Sequence, residues 1–140
     1  MLTVTQLARR GNTTPETVRH YTRLGLLKPI RHPENGYRLY QQRDINRLLF
    51  IRRAKHLGFT LNEIRDITRD ADQQESPCPK VRQILEQRIS DNRRQLNELI
   101  DLQVRMERAL KQWATMPDGV PDGHSVCHLI ESFEGNAIRV

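Results

Sequence analysis

Two sets of side chains in this 140-residue chain have types and spacings that could do chemistry. Cys78, His124 and Cys127 offer two thiols and an imidazole. Thiolate sulfur and imidazole nitrogen suit zinc and the softer divalent ions, and the three-residue step from His124 to Cys127 lets both face one ion. The same thiols are open to oxidation, and a lone Cys is as often a small buried apolar residue as a ligand. His128 is expected to solvate or cap rather than to ligate. The second set is basic and hydroxylic: Thr14, Thr17, Arg19, His20, Arg23, Tyr37, Arg38 and Arg53. Guanidinium forks match phosphate oxygens and base edges, and hydroxyls donate to phosphate, so this set points to nucleic acid.

Local signals predict the elements that must position these residues. Thr14 is a good N-cap, Pro15 suits the first helical position and Gly25 can stop a helix, so a helix is expected over 15–24, with Val18 and Leu24 inward. A shorter helix from Gln6 to Arg10, closed by Gly11, precedes it, and the pair has the composition of a helix-turn-helix. Pro33, Glu34, Asn35 and Gly36 form a turn cluster between Ile30 and the strand formers Tyr37 and Leu39. That predicts a hairpin with Tyr37 and Arg38 at its tip, a wing gripping the DNA backbone. Asp44 is expected to cap a helix running to about Leu57, and Thr60 with Glu63 to form a capping box opening another.

Taken together, RHYTRLGLLKP, ENGYRLY and FIRRAKHLGFTLNEI resemble the winged helix-turn-helix of the MerR family of transcriptional regulators. The resemblance implies double-stranded promoter DNA as a partner. It also implies antiparallel pairing of a long helix between two subunits, and reshaping of an over-long promoter spacer so that RNA polymerase can engage. In the divalent-metal sensors of the family, a Cys at the head of the long helix is completed across the dimer by a Cys-bearing loop. By that likeness Cys78 of one subunit meets Cys127 and His124 of the other around zinc, cadmium or lead, with Asp122 as a further candidate. The chain departs from the pattern in two places. His20 stands where an aromatic Tyr or Phe is usual, and Trp113 to Met116 occupy the place of a further Cys.

The rest of the chain fits this division. Residues 1–70 hold 14 Lys and Arg against 6 Asp and Glu, a net of +8, whereas residues 71–140 hold 9 against 11, a net of −2, so the first half is the nucleic-acid half. No apolar run approaches the ~20 residues needed to span a bilayer, and MLTVTQLARR lacks the order of a secretion signal, so a cytoplasmic protein with reduced thiols is expected. DADQQESPCPK, interrupted by Pro77 and Pro79, reads as a hinge. From Leu85, positions Ile89, Asn92, Leu96, Leu99, Gln103, Met106, Leu110 and Trp113 alternate steps of four and three, a coiled-coil seam with two polar register markers. Nothing else in so short a chain covers that seam, which predicts a homodimer. The expected fold is mainly α: a winged helix-turn-helix at 1–70, a hinge at 71–78, a dimerisation helix at 79–113, and an effector-binding loop and tail at 114–140. A nucleophile elbow, a phosphate-cradling glycine loop, HExxH and CxxC are all absent, so an enzyme is not expected. The expected function is a metal-responsive transcription regulator. The alternative is a thiol-based redox or electrophile sensor that uses Cys78 and Cys127.

Overall fold

Thr3 and Thr14 open the first two helices by the same device. Each has an extended backbone, and its hydroxyl accepts from the amide three residues on, Gln6 or Thr17, satisfying a donor that a helix start leaves unpaired. In the computed structural model, which describes residues 1–133, these caps start α1 (Val4–Arg10) and α2 (Pro15–Arg23). Gly25, at φ +78, takes the left-handed turn that ends α2, as expected. Gly11 closes α1 for a different reason. A Cβ there would lie 2.2 Å from Cδ2 of Leu48, so only glycine lets the turn between α1 and α2 close onto the third helix.

The hairpin consists of β1 (Ile30–Arg31) and β2 (Arg38–Leu39), antiparallel, with Ile30 opposite Leu39 and Arg31 opposite Arg38. Tyr37 projects from the tip, 72% exposed, and its amide donates to Asn35 Oδ1 at 3.0 Å. Arg38 was expected at the tip as well. It lies in the strand instead, half-buried, because the turn already closes with the His32 amide on the Tyr37 carbonyl.

Asp44 requires a second correction. It does not occupy the N-cap of α3 (Gln42–His56), which is Gln41; it sits three residues in. From there its buried carboxylate accepts from the Gln41 amide at 2.9 Å and from the Lys28 amide at 3.1 Å. Thr60 and Glu63 form the expected reciprocal capping box at the start of α4 (Leu61–Asp72). Leu7, Val18, Leu27, Tyr40, Leu48, Ile51 and Ile64 are fully buried, so α1 to α4 and the base of the hairpin share one apolar core.

After α4 the chain turns at 73–77, and α5 runs Cys78–Trp113. Pro79 does not break it, because the first helical turn needs no amide donor; Ser76 Oγ accepts from the Cys78 amide at 3.3 Å just ahead of it. Two compact units divide within α5, Met1–Gln83 and a second beginning at Ile84. In the second unit Ala109 is buried, whereas Ile89, Leu96, Leu99, Met106 and Leu110 are all more than half exposed. A loop leads on to α6 (His128–Glu131), whose Glu131 accepts from the Val126 amide at 2.7 Å. The final seven residues of the expected tail lie outside the described residues. Among the described residues, no helix is long and apolar enough to cross a membrane.

Asp72, in the last turn of α4, binds the guanidinium of Arg47 on α3 and lies 3.4 Å from Lys28 Nζ. Burial works to raise its pKa, but the hydrogen bond and charge of Arg47, aided by Lys28, outweigh it and hold the carboxyl below its usual value. A carboxylate depressed on folding contributes stability above its unfolded value and loses it as pH falls through the folded one. Asp72→Asn should therefore melt below the parent protein at pH 7, and the gap should close as pH falls below about 4. Thermal unfolding followed by circular dichroism checks this; a gap that stays constant with pH would assign the effect to something other than the charge.

Candidate functional site

On α2, Val18 and Tyr21 face the core, which leaves Glu16, Arg19, His20 and Arg23 on an exposed stripe at helical spacing. Thr14 and Thr17 sit at the head of this stripe, their hydroxyls 2.9 Å apart. The His20 ring tilts 40° against that of Tyr21, with 6.0 Å between centroids. Burial pushes the Tyr21 phenol up, against the opposing charge of Arg52. The structure thus brings Thr14, Thr17, Arg19, His20 and Arg23 together on one helix. Tyr37 and Arg38 stand on the hairpin and Arg53 on the exposed side of α3.

Three residues of this surface were missed in the sequence. Glu16 lies 3.7 Å from Arg19 and 3.5 Å from Arg23, holding both guanidiniums from the N-terminal end of the stripe. Its spacing of three and seven was the signal. Arg31 stands directly opposite Arg38, and like charges on one rung repel, so the rung favours an anion between them. Pairing Ile30 with Leu39 across the turn would have placed it there. Arg52 Nη1 donates to the Gly11 carbonyl at 2.5 Å, tying α3 to the turn that orients α2. That bond spans 41 residues and leaves no local trace in the sequence.

Cys78 is exposed and Cys127 half-buried, and both are free thiols. In the loop 114–127, the Asp122 carboxylate accepts from the His124 amide, from the Ser125 hydroxyl and from the Ser125 amide, which together hold its pKa down. His128 Nε2 lies 2.8 Å from the Pro117 carbonyl, and its ring packs so close to Gly119 that a Cβ there would come within 2.4 Å. Asp122, through Oδ1, and the His128 ring therefore serve the loop's own fold, whereas no hydrogen bond engages the side chains of His124 and Cys127 among the described residues. Among the described residues no group of three or more His, Cys, Asp or Glu side chains is placed to hold a metal ion.

Residues 2–71 match the family model of the MerR HTH family regulatory protein, and residues 45–109 match the model described as MerR, DNA binding. The chain is similar to the mercuric resistance operon regulatory protein of Bacillus cereus, with 34% identity over 130 residues covering 91% of this chain and 93% of that protein. It is similar also to the HTH-type transcriptional regulator ZntR of Escherichia coli strain K12, with 29% identity over 141 residues covering 100% and 97%. Among solved structures, the transcription regulator PbrR691 from Ralstonia metallidurans CH34 in complex with lead(II) is 27% identical, with a TM-score of 0.73 and coverage of 94% and 98%.

Glu16 places a negative charge where phosphates would approach, while pre-orienting two arginines. Replacing it with Gln should raise affinity for arbitrary duplex DNA by a few-fold at low salt, with the gain shrinking as salt screens the charge. Fluorescence anisotropy on a random-sequence duplex measures it; a loss of affinity would show that orienting the arginines outweighs repulsion.

Proposed function

The chain belongs to the MerR HTH family of regulatory proteins, DNA-binding regulators and not enzymes, and from that premise we propose that it is a homodimeric regulator of promoter DNA whose effector is a divalent metal ion. The observation that carries the DNA reading is the exposed stripe of Arg19, His20 and Arg23 on α2, backed by Thr14 and Thr17. Here α2 enters the major groove as the recognition helix, with Arg19 at base edges. Tyr37, Arg38 and Arg53 take phosphates, so they position the protein while α2 specifies the sequence. Work on promoter DNA places the protein in the cytoplasm, with RNA polymerase as the partner that reads out the result.

The dimer follows from α5. Leu96 and Leu99 are 54% and 61% exposed in a single chain, and burying a leucine stabilises by roughly 1.5 to 3 kcal/mol, so a second copy of the same helix is the simplest cover. Replacing both with Asp should turn the dimer into a monomer in sedimentation. A mass unchanged in the double variant would overturn the seam as an interface.

For the effector, Cys78 of one subunit joins His124 and Cys127 of the other. Both thiols are accessible and free, no hydrogen bond engages the His124 ring among the described residues, and a sulfur-rich donor set with one imidazole fits zinc, cadmium or lead. Similarity to a mercuric resistance regulator and to a regulator solved with lead(II) supports a metal over an organic effector. The ion would supply a strong local charge that binds deprotonated thiols, and it acts by binding two dimer shapes unequally. Titrating the reduced protein with zinc, cadmium, lead(II) and mercury(II) on the gene's own upstream DNA tests the reading. Cys78→Ser and Cys127→Ser should each abolish the metal response and leave DNA affinity unchanged, and metal affinity should fall between pH 8 and pH 6 as the thiols keep their protons. If reduced protein retains no ion and peroxide instead gives a Cys78–Cys127 disulfide between subunits, the regulator is a thiol-oxidation sensor.

A further inference from the structure

The hairpin is too short to hold itself in place. Each strand has two residues, and Ile30, Arg31 and Tyr37 are exposed; an isolated hairpin of that size is marginal in water. Its two ends are held at the Lys28 and Gln41 amides by the Asp44 carboxylate, but two backbone points leave it free to tilt about the line joining them. A third point of fixation is needed, and Tyr40 supplies one. Its side chain is fully buried, its backbone pairs with Leu2 in both directions, and its phenol oxygen lies 2.8 Å from Thr22 Oγ1 in the last turn of α2. Thr22 has one hydroxyl proton, which it donates to the Val18 carbonyl at 2.8 Å. The bond between the two hydroxyls therefore runs from Tyr40 to Thr22.

We propose that Tyr40 is a positioning residue for DNA binding: its buried phenol, donating to Thr22, locks the Arg31 and Arg38 rung at a fixed attitude to the Arg19 and Arg23 stripe of α2. Wing and recognition helix then meet one duplex together, and neither has to find it separately. The inference rests on the reading that both elements touch DNA. A wing released from that attitude no longer brings its arginines to phosphate while α2 lies in the groove, so a phosphate contact is lost although every contact group is still present.

The test uses the full chain and a duplex enriched by the parent protein from a random-sequence pool, with affinity measured across a salt series for the parent, Tyr40→Phe, Arg38→Ala and the double variant. Tyr40→Phe keeps the ring and removes only the hydroxyl. It should bind about tenfold more weakly, with a salt slope shallower by about 1, the signature of a lost phosphate contact. A role in stability alone would move the melting temperature and leave that slope unchanged. The double variant should bind within about twofold of Arg38→Ala, since a wing already released has little more to lose. Thr22→Val should reproduce the defect and Thr22→Ser should rescue it, which keeps the test decisive if Tyr40→Phe does not fold. An unchanged salt slope in Tyr40→Phe or Thr22→Val, or losses that multiply in the double variant, would overturn the proposal. If the parent enriches no duplex, or Arg38→Ala leaves the slope unchanged, the assignment of the wing to DNA fails, and the role of Tyr40 falls with it.

Discussion

One buried carboxylate holds both ends of the wing. Asp44 is 1% exposed, and its two oxygens are taken by the amides of Lys28 and Gln41, the residues that flank the hairpin on either side. A carboxylate without such partners would be expensive to bury, and these two amides, with the favourable end of the α3 dipole, make the burial tolerable. The consequence reaches in both directions. Toward the core, the carboxylate fixes where α3 begins, and so where Leu48 and Arg52 meet the turn between α1 and α2. Toward solvent, it pinches residues 28–41 into a loop whose remaining freedom, tilt, is restrained by Tyr40 through Leu2 and Thr22.

The electrostatics of the surface so built are mixed by design of position, not uniformly basic. Glu16 lies among the arginines of α2, and Arg31 faces Arg38 on the hairpin. The first arrangement satisfies guanidiniums before DNA arrives and weakens indiscriminate attraction. The second leaves a repulsion that an anion relieves. On the proposed reading, a helix whose cations are held by Glu16 and a hairpin whose two arginines face each other would divide the labour between reading and gripping.

Much of this architecture was legible because its signals are local. The Thr14 cap, the proline at the start of α2, the Gly25 stop and the capping box of α4 all act within four residues of themselves, and each lies where the sequence implied; the Thr3 cap, which starts α1 two residues before the expected Gln6, was not read. The misplacements have a common origin in partners distant along the chain. Asp44 looks like an N-cap because Asp favours that position, and nothing near it reveals that the Lys28 amide, 16 residues earlier, requires it at the third helical position. Nothing in the sequence around Arg52 and Tyr40 marks their roles; their work is done on Gly11 and Thr22, 41 and 18 residues away. Glu16 was readable from helical spacing alone, three and seven residues before the two arginines it holds. For the thiol-bearing residues, the types and the loop were legible, and the occupied state of Asp122 and His128 was not, since it depends on how the loop folds back on Pro117 and Ser125.

The charge partition explains why the seam of α5 matters to the DNA-binding half. A net of +8 on residues 1–70 gives each lobe a sequence-independent attraction for DNA, but one short recognition helix reaches only a few base edges, and each good bidentate contact is worth only about 1 to 3 kcal/mol of discrimination. A single lobe would therefore bind many sites almost equally. In the proposed dimer, joining two lobes through α5 would turn the second engagement into an intramolecular event, so that specificity multiplies while the salt-sensitive attraction of each lobe stays modest. In that proposed dimer, Glu16 and the exposed leucines would serve one end: the first would keep a lone lobe from binding well, and the second would supply the pairing.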